Sequence, residues 1–272
     1  MKAMQAFEVE LVLQAIEHRW GYDFRGYART SITRRIENVM RRHQICHVSE
    51  LIPRVLHEPV FFDDMVSDFS ITVTQMFRDP PVWKKLLLEV LPLLETYPFF
   101  KIWHAACATG EEVYSMAILL QEAGLLERAT LYATDFNDTA LAYARSGRYP
   151  KENMVQAEEN YLAAGGVHTL DNYYYAQGNS VEMHQYLKNH IVWANHNLTC
   201  DHSFGEMNLI LCRNVLIYFT QPLQNRALEL FAQSLSGGGV LCLGSRESLS
   251  FSSVASRFSV ISSGKRLYKY KN

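Results

Sequence analysis

The sequence predicts an α/β protein whose N-terminal part is entirely helical. From about residue 100 onward, strand-like and helix-like segments alternate, which is typical of a mostly parallel sheet covered by helices on both faces. The first 70 residues show helical periodicity instead. With 272 residues and 48% hydrophobic content, the chain can form one large domain or two modest ones.

The alternating segments have distinct limits. Short apolar runs predict strands, and longer stretches that open on acidic or proline residues predict helices. The predicted strands are Phe100–Trp103, Thr130–Thr134, Asn208–Cys212, Val240–Leu243 and Arg266–Tyr270, and the predicted helices are Glu111–Glu122, Asp138–Ser146 and Pro222–Leu235.

Two segments interrupt this pattern and define the domain limits. Residues 71–82 end in two prolines and favour a helix start near Trp83, so we expect a linker between a helical domain (1–70) and an α/β domain (83–272). Residues 150–191 are polar and tyrosine-rich, and they are too long for an ordinary loop. We expect them to form a small inserted subdomain.

The N-terminal domain carries a basic helix face. In Ser31–Arg42, apolar residues at i, i+4, i+7 and i+8 form one stripe, and arginines lie on the other side. A solvated surface is the plain interpretation, but arginine is also the residue suited to gripping carboxylates. The stripe is Ile32, Ile36, Val39 and Met40, and the arginines are Arg34, Arg35, Arg41 and Arg42.

Composition excludes several classes of function. A net charge of −2 gives no global attraction to nucleic acid or membranes, and the N-terminus has no signal-like apolar run. Five scattered cysteines indicate free thiols, so we expect a cytoplasmic protein. His43, Cys46 and His47 lack a second ligand pair, and we expect no metal. Tyr173–Tyr175 favours subdomain packing over nucleic-acid stacking.

The most informative stretch is the turn between the first predicted strand and the helix at Glu111. It has small residues and one glycine, but no glycine-rich phosphate motif, and two carboxylates follow at Glu111 and Glu112. A ligand bound here should be cationic or neutral. S-adenosylmethionine, with its sulfonium, ammonium and ribose hydroxyls, meets this requirement, whereas ATP and NAD meet it poorly.

Five motifs in sequence order resemble the chemotaxis receptor methyltransferases of the CheR type. They cover most of the chain, and the arginine helix matches as well. The motifs lie at Thr72–Pro80, Phe99–Ala117, Ala133–Tyr149, Asn197–Phe219 and Gly237–Leu249.

The resemblance implies a fold, a reaction and a partner. The fold is an N-terminal all-helical domain joined to a class I (Rossmann-like) methyltransferase domain with a small antiparallel β insertion. The reaction is methyl transfer from S-adenosylmethionine to glutamate γ-carboxylates of chemoreceptor coiled coils, which leaves S-adenosylhomocysteine. The same chemistry on another signalling protein, or a catalytically silent cofactor-binding regulator, remains the alternative.

The resemblance also assigns residues. Asp135 would bind the ribose hydroxyls, although it can also cap the next helix, and Glu111 is favoured over Glu112 for the cofactor's methionine or ribose end. Tyr218 and Arg78 would border the methyl-transfer site, although Arg78 can instead pair with Asp79. The other expected cofactor contacts are Thr72, Thr74, Asn197, Leu198, Arg213 and Asn214, and Arg34, Arg35, Arg41 and Arg42 are the expected substrate contacts.

Two residues depart from the family pattern. Thr72 stands where many relatives have asparagine, and Met76 replaces a phenylalanine. The resemblance leaves open whether the insertion docks a receptor peptide.

Overall fold

The structure is a computed structural model and describes residues 3–69, 74–262, 264 and 266–271. Its N-terminal part is helical, as predicted. Four helices surround an apolar core that includes Val12, Ile36 and Met65, each of which is fully buried. These helices are α1 (Ala3–Trp20), α2 (Arg29–Arg42), α3 (Leu51–His57) and α4 (Pro59–Phe69).

The interdomain segment is described from Thr74 onward. It leads into a helix that begins at Pro80, three residues before the predicted start near Trp83. The two prolines occupy the first turn, where their missing N–H groups cost no hydrogen bond. A π-helical stretch at Leu86–Val90 separates this helix, α5 (Pro80–Lys85), from α6 (Leu91–Glu95).

The remaining chain forms the predicted alternation of strands and helices. The strands are β1 (Phe100–Ala105), β2 (Ala129–Asp135), β3 (Arg148–Pro150), β4 (Tyr174–Gln177), β5 (Ser180–Met183), β6 (Ile191–Asn195), β7 (Met207–Cys212), β8 (Leu235–Leu243), β9 (Phe258–Ser262) and β10 (Leu267–Tyr270). The helices are α7 (Glu111–Glu122), α8 (Asp138–Ser146), α9 (Asn153–Ala164), α10 (Gln185–Lys188) and α11 (Gln221–Ser234).

Seven strands form the main sheet in the order β6-β2-β1-β7-β8-β10-β9. The first five are parallel, and β10 and β9 are added in antiparallel pairing. Successive residues of a strand face opposite sides. Ile102 and Leu209 therefore lie in a core with α7, whereas Trp103 and Ile210 lie in the core that α11 and the helical domain share. One continuous core thus joins the two domains.

A three-stranded antiparallel sheet in the order β3-β5-β4, together with α9, forms the small β insertion of the fold prediction; it begins at Arg148, two residues before the predicted limit at 150. The Asn160 amide donates to the Met76 carbonyl at 3.1 Å, and the Tyr149 hydroxyl donates to the Thr109 carbonyl at 2.8 Å. These bonds tie the insertion to the interdomain segment and to the turn after β1. Within the described part of the chain, no helix is long and apolar enough to cross a lipid bilayer.

Candidate active site

The turn between β1 and α7 has an unusual backbone. Ala106 (φ 59°) and Ala108 (φ 50°) adopt left-handed conformations that alanine rarely takes. Gly110 (φ 89°) ends the turn, and a Cβ there would lie 2.8 Å from the Cβ of Ala144. The turn therefore needs glycine for both its conformation and its contact with α8.

Asp135 holds this turn in place. It ends β2 and is 3% exposed, and its two oxygens accept the backbone N–H groups of Ala108 at 2.9 Å and Asn137 at 3.0 Å. Burial raises the pKa of this carboxyl group despite these bonds. The next helix is capped by the side chain of Asn137, which accepts from Thr139 and Ala140, so Asp135 itself is not that cap.

Glu112 and Arg213 link the turn to the interdomain segment. The Arg213 guanidinium donates to Glu112 at 3.1 Å and to Asp79 at 2.9 Å, and it also donates to the Arg78 carbonyl at 2.8 Å. Burial alone would lower the pKa of Arg213, but the carboxylates of Glu112 and Asp79 raise it. His104 bonds the other oxygen of Glu112 at 3.0 Å.

The pKa of Glu112 shows which effect prevails. Burial alone would raise it, but the hydrogen bond to His104 and the charge of Arg213 lower it below its ordinary value. Glu112 therefore carries its charge at neutral pH inside the protein.

Arg35 does not lie on the exposed face where the helical pattern places it. Only 4% of the residue is exposed, and its guanidinium donates to the carbonyls of Asp68 (3.0 Å) and Phe69 and to the Ser31 hydroxyl (3.2 Å). It also lies over the Tyr218 ring, 5.5 Å from the centroid. The expected position was wrong because α4 and the strand ends cover this side of α2.

The other three predicted arginines of α2, Arg34, Arg41 and Arg42, are exposed. Arg42 pairs with Asp64 and Asp68 of α4, both at 2.8 Å. Arg34 and Arg41 form no ion pair with any of the residues that the structure describes.

A cavity of about 530 Å³, called the main cavity below, lies where the helical domain meets the carboxyl ends of β1 and β7. Cavities at this edge are the usual ligand sites of open α/β sheets. Its lining comprises Arg34, Arg35, Asn38, Ser67, Asp68, Thr74, Gln75, Arg78, Ala106, Cys107, Ala108, Glu112, Arg213, Asn214, Val215 and Tyr218.

Two smaller cavities share walls with it. A pocket of about 50 Å³ reaches Asp135 and Phe136, and Asn214 and Tyr218 line both this pocket and the main cavity. Another, of about 170 Å³, lies beyond Thr74 and Gln75 against α9 and contains Glu111.

The structure thus brings most of the predicted residues together. Thr74, Arg78, Arg213, Asn214, Tyr218, Arg34 and Arg35 line the main cavity, and Asp135 lines the adjoining pocket.

Other predicted residues lie elsewhere. Glu112 lines the main cavity, and Glu111 lines the third cavity, which shares Thr74 and Gln75 with it; the cofactor role of Glu111 stays a prediction. Asn197 uses its amide oxygen for Thr199, and Leu198 is buried in the core; neither lines these three cavities. Arg41 and Arg42 lie outside the cavity. Thr72 lies outside the described residues.

The donor set at the cavity suits S-adenosylmethionine. A carboxylate has about four lone-pair sites, so Asp135 can accept ribose hydroxyls while it keeps its two backbone bonds. The Glu112 carboxylate, which is already paired with Arg213, and the Arg78 guanidinium both line the cavity and can face the charged ends of the cofactor's methionine part. Apolar surface for a base comes from Phe136 and Val215.

This fold and this site define an S-adenosylmethionine-dependent methyltransferase. Two family models match the chain in succession: the CheR methyltransferase all-alpha domain matches residues 8–70, and the CheR methyltransferase SAM binding domain matches residues 72–266. The chain belongs to the CheR family of chemotaxis protein methyltransferases.

Relatives match over nearly the whole chain. The Pseudomonas putida protein Cher3 is 45% identical over 96% of this chain and 96% of its own length. A chemotaxis protein methyltransferase of Listeria monocytogenes is 30% identical over 87% of this chain and 88% of its own. Among solved structures, the magnesium protoporphyrin IX methyltransferase of Synechocystis PCC 6803, with bound S-adenosylmethionine, has a TM-score of 0.40 at 13% identity and covers 79% of this chain and 85% of that chain.

Proposed function

We propose that this protein methylates glutamate γ-carboxylates on the cytoplasmic coiled coils of chemoreceptors. The observation that carries the proposal is the composition of the main cavity. Its lining includes the turn that would hold the methyl donor, the arginine-bearing helix α2, and Arg78 and Tyr218. A carboxylate entering this cavity meets positive charge beside the cofactor residues.

The reaction needs little from the protein beyond placement. A glutamate side chain has an ordinary pKa near 4.3, so it is ionised at neutral pH and needs no general base. S-adenosylmethionine, when bound, supplies an electrophilic methyl group on a sulfonium. Arg35 and Arg78 attract and orient the carboxylate, and Tyr218 covers one side of the site and limits water.

The exposed face of α2 suits a long acidic partner. Arg34 opens into the cavity, and Arg41 lies about two turns further along the helix on the surface. Because neither forms an ion pair with a described residue, both can meet carboxylates of a partner helix. We propose that this face docks the receptor helix and that the protein acts in the cytoplasm, where these receptor segments lie.

Methyl transfer from tritiated S-adenosylmethionine to purified receptor cytoplasmic fragments tests the proposal. We expect label that is released as methanol by mild alkali, because carboxyl methyl esters are base-labile. A fragment with glutamine at the accepting positions is the matched control and should stay unlabelled. Absence of label despite retained binding of S-adenosylhomocysteine would identify a silent regulator, and label on another signalling protein would redirect the substrate.

A further inference from the structure

We infer that Glu247 is a positioning residue for the cofactor and acts through Asn214. It follows β8 and is 4% exposed. One oxygen accepts the backbone N–H groups of Gly244 at 2.6 Å and Asn214 at 3.1 Å, and the other accepts the N–H of Val215 at 2.8 Å. The inference concerns cofactor binding and holds whichever protein accepts the methyl group.

The carboxylate fixes a strained turn. Asn214 follows β7 with a left-handed backbone (φ 65°), a conformation that persists only where its surroundings enforce it. Because the N–H groups of Asn214 and Val215 both point at Glu247, the carboxylate determines the orientation of this turn. Asn214 and Val215 line both the main cavity and the pocket beside Asp135.

Gly244 gives independent evidence that Asn214 and Glu247 are closely packed. A Cβ at this position would lie 2.7 Å from the Asn214 nitrogen and 2.7 Å from the Glu247 carboxylate. No side chain fits there without displacing the turn or the carboxylate. The ends of β7 and β8 are therefore packed directly on this bond network.

The partners of the Glu247 carboxylate are backbone N–H groups and not a cation. Among residues 3–69, 74–262, 264 and 266–271, no Lys, Arg or His forms an ion pair with Glu247, and burial raises the pKa of its carboxyl group. A buried carboxylate without a cationic partner is costly. Here the cost falls at the turn that shapes the cofactor cavity.

Isothermal titration with S-adenosylhomocysteine tests the inference. We expect Glu247→Gln to raise the dissociation constant about tenfold, because an amide offers one acceptor oxygen where three N–H groups need two. In an Asn214→Ala background the same change should have a smaller effect than in the wild type, because the Asn214 side chain that Glu247 positions is already absent and only Val215 and the backbone of the turn remain to be displaced. Glu122→Gln is the control: Glu122 accepts from Tyr161 and Tyr173, so its loss should lower Tm and leave this affinity unchanged.

Gly244→Ala supplies a second test that keeps both polar residues, and it serves if Glu247→Gln folds poorly. Its added methyl group should displace the carboxylate from Asn214 and weaken S-adenosylhomocysteine binding by a similar factor. Unchanged affinity in both folded variants, or additive losses in the double variant, would overturn the inference.

Discussion

At the scale of single residues, backbone strain concentrates around the main cavity. Phe77, Asp79, Ala106, Ala108 and Asn214 all have positive φ without being glycine. Each such residue costs about 1–3 kcal/mol and needs local compensation. The N–H groups of three of them are bonded to buried side chains: Phe77 to Ser115, Ala108 to Asp135 and Asn214 to Glu247.

Asp135→Asn tests whether the Asp135 carboxylate holds the strained turn after β1 and binds the cofactor. In the wild type, one Asp135 oxygen accepts the Ala108 N–H and the other accepts the Asn137 N–H. An asparagine amide has only one acceptor oxygen, so it cannot keep both bonds and also accept ribose hydroxyls. We expect S-adenosylhomocysteine to bind at least about tenfold more weakly by calorimetry. Asp138→Asn is the control: it changes an exposed carboxylate three residues further along the chain and should leave the affinity for S-adenosylhomocysteine unchanged. Equal affinity for both variants would contradict the role given to Asp135.

Glu112 gives a prediction with a pH dependence. Its pKa is lowered from an ordinary 4.5, so the charge stabilises the fold above that pH, and this stabilisation is lost as the pH falls through the lower folded value. Glu112→Gln should cost about 2 kcal/mol of the free energy of unfolding at pH 7, since the buried Arg213 loses one of its two carboxylate partners and keeps only Asp79. Urea unfolding should show the difference from wild type shrinking under acid conditions. A difference that grows as the pH falls would contradict this account.

The sequence places the acidic pair Glu111 and Glu112 at the helix start, but it does not show which cavity each carboxylate faces. Consecutive helical residues point about 100° apart, and only the packing of α7 on the sheet determines that Glu112 faces the main cavity. Arg35 was misplaced for a similar reason. The apolar stripe of α2 is narrower than the surface that α4 and the strand ends cover.

At the scale of elements, the prediction succeeded where local signals are strong. Helices α7 and α8 have the predicted bounds, because Gly110 and Asn137 mark their starts and Gly147 marks the end of α8. The sequence analysis did not predict strands β6 and β9. Both lie at sheet edges and bury few residues, so their sequences lack the apolar run that identified the central strands.

The proposed docking of a receptor helix on the exposed face of α2 can be tested by reversing one charge. Arg41→Glu should raise the KM for a receptor fragment about tenfold and leave S-adenosylhomocysteine affinity unchanged, because Arg41 is exposed and lies outside the cavity. The effect should diminish at high salt. Lys84→Glu on α5 is the charge-matched control, because Lys84 is exposed and forms no ion pair with a described residue. A lower affinity for the cofactor product, or equal KM changes in both variants, would refute the docking face.

At the scale of the whole molecule, the two domains share one core and one cavity. Apolar residues of the N-terminal helices pack on the same sheet face as α11. The loop before α2 is also hydrogen-bonded to the segment after β7. The Ala28 N–H donates to the Tyr218 carbonyl at 2.7 Å, and the Thr220 N–H donates to the Gly26 carbonyl at 2.8 Å. This arrangement fixes the basic helix beside the methyl-transfer site. The proposed receptor-docking face and the proposed cofactor site are therefore joined by one shared core.

Mass-spectrometric mapping of methyl groups on a receptor cytoplasmic fragment tests the central claim most directly. After incubation with the protein and S-adenosylmethionine, the account predicts methyl esters on glutamate side chains of the coiled coil, removed by mild alkali and absent when the incubation uses Asp135→Asn at limiting cofactor. Methylation at another residue type, or an unmodified fragment beside a protein that binds S-adenosylhomocysteine normally, would contradict it.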